Sequence, residues 1–582
     1  MKQTEKILIF FLALSITSAC AGRSGLKKPS AALVSPQPAQ VKFERKAPAS
    51  NPLAYYYFLL SQYKSREGKL DEALEDLKQA IAHTGEEPSL HVELATLYVH
   101  KGLLNEAIEE CKKALLNDPN YLTAYLMLGG IYSSQKKNRQ AIESYKKAIE
   151  INPRYRESYL YLGSLYADEQ EYDKGIDLFE QFLKFEPDSI MGLYSLGRIY
   201  AEMKSYEQAK KYFLKALAVE PRLTSVLIDL GIIYEIENKP EKAVEAYQKI
   251  LSYDPDNKRA RSRLGQIYVK NKKLDEALNQ FREMQKTDSE DPNIRTKIGL
   301  IYLEQGKLDQ AILEFDFVLA AHPKDDRVRY YLGAAYVEKE AFNQAISEFK
   351  KIPPESTLFA DSRRSIATIL SKENKKEDAV RILEESIQAK PDDGDLYLVL
   401  AALWEKEDQL QKALAVLQKG MEKSKENTEI LFQLGAIYDK LGDFEKMVIQ
   451  IKEVLKVNPD HADALNYLGY SYADRGVHLQ EALELIQKAM RLKPDMGYIT
   501  DSAGWVYFKL GDYKRAVIEL EKASQLTPED PTITEHLADS YSKLNQIDKA
   551  LDLYERALKQ EPKPDQLERL KDKVKELKEK KK

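Results

Sequence analysis

The residue types that could do chemistry in this chain are present, but no stretch spaces them for it. There is no glycine-rich loop to cradle a phosphate, no His-Glu-x-x-His helix for zinc, no Cys-x-x-Cys pair and no nucleophile elbow. The seven histidines are scattered. His91 and His100 can share a helix, yet nine residues is about two and a half turns, which sets them on opposite faces and leaves no metal pair. Carboxylates are plentiful, but without geometry they identify no acid/base couple. The reading is therefore a protein that is not an enzyme and has no catalytic residues, cofactor or metal. Lys+Arg 88 against Asp+Glu 93 gives a formal net charge of -5, so no overall basic field favours nucleic acid. Charges such as Glu143, Lys146 and Lys147 sit between apolar positions, as solvated helix faces require.

The elements that carry these residues repeat. Leu122 to Tyr155 reads as helix, turn, helix, with apolar spacing near 3.6 on both sides of the polar break Gln135-Lys136-Lys137-Asn138. Gly129 and Ala141 lack bulk where two helices must approach at about 8–10 Å, and Tyr132 and Tyr145 fill the space beside them. Pro153 has no amide hydrogen and pushes Asn152 out of helical geometry, so the second helix must stop there. The small residue of the first helix recurs at Ser61, Ala95, Gly129, Gly163, Gly197, Gly231, Gly265, Gly299, Gly333, Ala367, Ala401, Gly435 and Gly469, always 34 residues on. Gly504 and Ala538 follow after steps of 35 and 34. That makes fifteen units, and twelve equal steps leave no room for an inserted globular domain.

Period and residue choice resemble the tetratricopeptide repeat, whose positions fall on Leu128, Gly129, Tyr132, Ala141, Tyr145, Ala148 and Pro153 and again on Leu196, Gly197, Tyr200, Ala209, Phe213, Ala216 and Pro221. Departures are local: Gly175, Phe182 and Met447 replace alanines, and one extra residue lies between Tyr472 and Ala482. The resemblance implies an all-α superhelical solenoid of about fifteen helix-turn-helix repeats over residues 54–562. Leu567, Leu570, Val574 and Leu577 form a helical stripe among many lysines, so residues 563–582 read as a basic helix capping the last repeat. The alternative for that basic tail is contact with anionic lipid, against which Asp572, Glu576 and Glu579 are interleaved.

In this family the first helices line a concave groove, reached by residues three before, one after and five after the small position. The residue just after is small in many repeats, and only at Tyr470 and Trp505 is it aromatic. Asn466, Tyr470 and Asp474 stand at i, i+4 spacing, as do Asp501, Trp505 and Lys509, so each trio shares one helical face. Carboxamides and carboxylates bind an extended peptide's backbone and exposed rings anchor its side chains, which makes these six the candidate partner site. The alternative is that the two rings pack between helices where the extra residue disturbs the superhelix. Asn466 to Tyr507 also resembles the C-terminal repeats of envelope lipoproteins that act as adaptors for a periplasmic carboxy-terminal processing protease. That implies delivery of protein substrates to such a protease. A structural part of an outer-membrane export, polysaccharide-secretion or pilus-assembly machine is the second reading, and an enzyme with an unrecognised site the third.

At the N-terminus, Lys2 and Lys6 precede an uncharged run from Ile7 to Ala19, shorter than the roughly 20 residues that cross a bilayer as a helix. Ser18-Ala19-Cys20 resembles a bacterial lipoprotein signal, which implies cleavage after residue 19 and acylation of Cys20. An ordinary secretory signal with an incidental cysteine is the alternative. Ala21 is not the aspartate that the resemblance ties to inner-membrane retention, so the periplasmic leaflet of the outer membrane is the expected location. Residues 20–53, rich in Pro, Ala, Ser and Lys, read as a disordered tether with a reach of about 30 Å. Cys111 takes the place that Tyr145, Phe179 and Phe213 hold in other repeats and is expected in the core.

Overall fold

The computed structural model describes residues 51–84, 87–424 and 426–580. Cys20, the signal over residues 1–19 and the tether up to residue 50 lie outside the described residues. Among the described residues the chain is all-α, with 31 helices and no strand. They fall into two compact units, one ending at Gln310 and the other beginning at Ala311, so the division runs through the helix Leu308–Ala321.

In both units each repeat is a pair of antiparallel helices, and the turn between them has one conformation throughout. The seventh residue after the small position has a positive φ in all fifteen repeats. Glycine holds that place at Gly68, Gly102, Gly306, Gly442, Gly476 and Gly511, and asparagine at Asn238, Asn374 and Asn545. In the other six, Lys136, Gln170, Lys204, Lys272, Glu340 and Asp408 adopt the left-handed conformation at φ 56–61° despite carrying side chains that disfavour it. Where a repeat carries the closing proline its second helix stops there as the sequence requires: Asn138–Ile151 ends at Asn152, whose φ of -133° and ψ of 93° are extended.

Helix contacts within the first eleven repeats are set by a volume exchange between two positions, whereas in the last four Gly435, Gly469 and Gly504 are paired with Ile451, Ile486 and Leu520, and Ala538 with Tyr554. At Gly197 an added Cβ would lie 2.6 Å from the ring of Phe213, and at Gly231 one would lie 2.5 Å from the ring of Tyr247. Gly129, Gly163, Gly265 and Gly333 are likewise pressed by Tyr145, Phe179, Phe281 and Phe349. Where the second helix offers only Leu77, Cys111, Leu383 or Leu417, the first helix carries Ser61, Ala95, Ala367 or Ala401 instead. Cys111 is thus a small core residue beside Ala95, fully buried, and burial pushes its thiol well above the ordinary range.

The second unit carries two irregularities. Pro353-Pro354 truncates the second helix of its repeat to Phe342–Lys350. The carbonyls so freed are taken up by Arg363, 7% exposed, whose guanidinium donates to Phe349 O at 2.6 Å, Ile352 O at 3.0 Å and Lys350 O at 3.4 Å. The extra residue after Tyr472 is absorbed in the turn, where both Gly476 and His478 are left-handed. Packing resumes at once: added carbons at Gly469 and Gly504 would strike Ile486 at 2.6 Å and Leu520 at 2.5 Å. The final helix, Pro564–Lys580, buries Leu570 and Leu577 in a core shared with Leu537, Tyr541 and Tyr554.

Candidate functional site

The six groove residues sit on two neighbouring first helices, Ala462–Arg475 and Gly497–Lys509. The helices are started by local chemistry: the His461 side chain accepts from the Ala464 amide, and in the next repeat Asp530 accepts from Thr532 and Ile533 ahead of Pro531–Lys543. Within these helices the Thr500, Ser502, Thr534 and Ser540 hydroxyls donate back to carbonyls four residues earlier.

Asp501 is not free to hold a bound segment. It is buried, and both its oxygens meet His536 Nδ1, at 2.9 and 3.2 Å. The largest single influence on the His536 pKa is burial, which lowers it. The Asp501 carboxylate outweighs that through charge and hydrogen bond, with help from Asp539 and Glu535, and the pKa lies above its usual value. The imidazole stacks on Trp505, centroids 3.9 Å apart and planes 16° apart, and Trp505 in turn stacks on Phe508 at 4.8 Å. Lys509 Nζ stands 4.9 Å above the indole and donates to the Asp474 carbonyl at 2.9 Å, tying the two first helices together. Tyr470 reaches past its neighbour to within 6.5 Å of the His536 ring, and burial and nearby carboxylates raise its pKa.

Trp505 is therefore not the exposed anchor its groove position suggested. Only 8% of it is accessible, because His536, two positions before the small residue Ala538 of the next first helix, covers its face. Its indole Nε1 is nonetheless buried with no hydrogen-bond partner, and so is Asn466 Oδ1. Asp474 keeps an exposed side chain, while Asn466, Tyr470 and Lys509 are half-buried.

The remaining members of the cluster come from the last repeat and the final helix. Glu535 and Asp539 hold the same register positions there that Asp501 and Trp505 hold one repeat earlier. Glu535, 2% exposed, accepts from Gln566 Nε2 at 2.9 Å, from Arg569 at 2.8 and 2.9 Å, and from Lys573 at 2.8 Å. Burial works against its ionisation, but these partners hold its carboxyl down at about 2. Lys573 also reaches Asp539 at 2.7 Å, and Tyr554 donates to the same carboxylate. Asp501, Glu535 and Asp539 thus face His536, Arg569 and Lys573 across the two repeats and the final helix. The signal for His536 lay in the repeat itself, since residues 35 apart on successive first helices meet elsewhere too: Tyr194 OH donates to Asp229 at 3.0 Å and Tyr498 OH to Asp463 at 2.7 Å.

His91 is also buried, with Nδ1 2.7 Å from Glu110, while His100 is exposed. Among the described residues no group of three or more His, Cys, Asp or Glu could hold a metal ion. No helix among them is long and apolar enough to cross a membrane.

Family models described as tetratricopeptide repeat match residues 66–130, 236–301 and 302–361, and another spans 339–569. Further models of the same repeat match residues 129–170, 192–222 and 157–189. The chain is a tetratricopeptide repeat protein. Among solved structures, the APC/C hetero-tetramer Cut9–Hcn1 is similar over 84% of this tetratricopeptide chain and 96% of that chain, at 14% identity and a TM-score of 0.36. Yeast Tom70 is similar over 91% of this chain and 96% of its own, at 15% identity and a TM-score of 0.33. MamA is 30% identical over 28% of this chain and 95% of its own, with a TM-score of 0.26. No curated protein matches the chain.

Proposed function

We propose that this tetratricopeptide repeat protein is an adaptor of the bacterial envelope, held there through acylated Cys20, which gathers partner proteins and presents substrates to a periplasmic carboxy-terminal processing protease. The repeat fold supports the coarser part: arrays of this kind are generally scaffolds that hold proteins, and a catalytic constellation is not needed for that. The envelope and protease parts rest on the resemblances of the N-terminal signal and of residues 466–507; the observation that carries partner binding at this site is the pair of unpartnered buried atoms, Trp505 Nε1 and Asn466 Oδ1, on neighbouring first helices. One is a donor and the other an acceptor, the complement of a single peptide group. Both atoms are buried, so a partner segment reaches them only as the side chains around them rearrange.

The test is pull-down from solubilised envelopes with wild type, Trp505→Phe and Tyr470→Ala. Trp505→Phe keeps a ring against His536 and removes only the indole donor, so thermal unfolding should stay put while partner recovery falls about tenfold. Equal recovery by all three proteins places the partner elsewhere on the array. Membrane fractionation of Cys20→Ala tests the anchor separately: a variant that stays tightly bound rejects acylation.

A further inference from the structure

The first helix, Pro52–Arg66, leaves an apolar face open to solvent. Leu53, Tyr55, Tyr56, Leu59 and Tyr63 are all 43% exposed or more, while Ala54, Phe58 and Ser61 on the opposite side are buried in the repeat. A helix that is apolar all round belongs in a core. Later repeats show what the open face is shaped to receive. Tyr56, Leu60 and Tyr63 correspond, one period on, to Leu90, Leu94 and Leu97, which are 0%, 3% and 5% exposed and share a core with Leu74, Leu77 and Ala80 of the preceding second helix. The equivalent residues of the third repeat, Ala124, Leu128 and Ile131, are buried as well. The open face therefore fits a helix.

With cleavage after residue 19, on which this step rests, the sequence left before it does not supply one. Over residues 20–50, prolines at 29, 36, 38 and 48 leave at most nine uninterrupted residues, and Val41 and Phe43, two apart, would fall on different sides of any helix there. The other end of the chain does not match it either. The outer face of Pro564–Lys580 carries Glu568, Lys571, Asp572, Lys575, Glu576 and Glu579, all exposed, so copies do not add head to tail. A lipid surface fits poorly, because the open arc has a single base, Arg66, at its margin and Lys64 is held by Asp76 at 2.7 Å.

We propose that this face docks a second copy of the same chain, the two Pro52–Arg66 helices lying antiparallel across a two-fold axis near Leu59 and Leu60. In that pairing Tyr56 of each copy meets Tyr63 of the other, so one stripe satisfies both sides and the assembly closes as a dimer. Five half-exposed side chains contribute about 100 Å² each, hence about 500 Å² per copy and about 1,000 Å² in all, the size at which specific interfaces begin.

The test is sedimentation of the full chain in mild detergent, for wild type and for Tyr56→Glu combined with Tyr63→Glu. Wild type should sediment at twice the 66.7 kDa chain mass. The double variant should raise the dissociation constant about a hundredfold or more, with unchanged helicity because both rings are exposed. Leu59→Cys made together with Cys20→Ala should also form a disulfide-linked dimer on air oxidation, since that position lies on the axis. A wild type that stays monomeric at its highest soluble concentration overturns the proposal, as does a dimer that survives the double variant. Monomers that bind phosphatidylcholine–phosphatidylglycerol vesicles through Tyr56 and Tyr63 overturn it in favour of a membrane face.

Discussion

The exchange of volume between Gly197 and Phe213 can be measured. An alanine at 197 places a carbon 2.6 Å from Cδ1 and Cε1 of a ring that is itself fully buried. Overpacking of that kind costs about 1–3 kcal/mol, and the helix propensity gained over glycine returns about 1 kcal/mol. Gly197→Ala should therefore destabilise its repeat by about 1 kcal/mol net. Phe213→Leu leaves a void beside Gly197 and should cost roughly 1–2 kcal/mol. Made together, the added methyl fills the void and no longer meets a ring, which is the arrangement the chain already uses at Ala367 with Leu383 and Ala401 with Leu417. The pair should then couple favourably by about 2 kcal/mol. Long arrays do not unfold as one unit, so the assay is hydrogen exchange of amides in Ile190–Glu202 and Tyr206–Val219, read as local opening free energies. Strictly additive effects would refute the volume-exchange account. Loosening spread evenly over all repeats would refute the nearest-neighbour picture beneath it.

Lys204→Gly relieves a left-handed residue at φ 60° and should stabilise its turn by about 0.5–1 kcal/mol after the entropy lost to a freer unfolded chain, while Gly442→Ala should do the reverse; local exchange rates report both. Arg363→Ala removes the guanidinium donor from three carbonyls, of which Phe349 O keeps the Ile352 amide at 3.2 Å, and should cost about 2 kcal/mol, seen as a lowered urea midpoint, with Arg363→Lys recovering only part because one ammonium cannot span the fork. Because the His536 pKa is raised on folding, its pairing with Asp501 contributes fully below the unfolded value near 6.5 and is lost as pH rises through the folded one. Exchange protection in Gly497–Lys509 and Pro531–Lys543 should therefore fall on going from acid to alkaline pH, and His536→Asn should flatten that dependence.

The sequence by itself determined the class of this protein, because a solenoid repeats its packing and so repeats its spacing. A small residue every 34 positions with one step of 35, an aromatic partner sixteen later in eight of the fifteen units and a closing proline in most are enough to specify helix, turn, helix and the stacking of one unit on the next. It also singled out Tyr470 and Trp505 as the two aromatic residues at that position of the repeat. Local rules did not reveal that Pro353-Pro354 cuts a helix short and that Arg363, ten residues on, replaces the missing turn, since that contact depends on how the chain returns across the repeat. They also could not say which groove residues stay open. Trp505 has an exposed register position and a buried ring, because His536, 31 residues away, is held over it by Asp501. The first helix shows the converse: its apolar stripe looks like core in sequence, and only the fold reveals that none of the described residues covers it. Periodicity fixes which face a residue occupies, whereas exposure depends on what the neighbouring repeat brings against that face, and only the tertiary structure decides that.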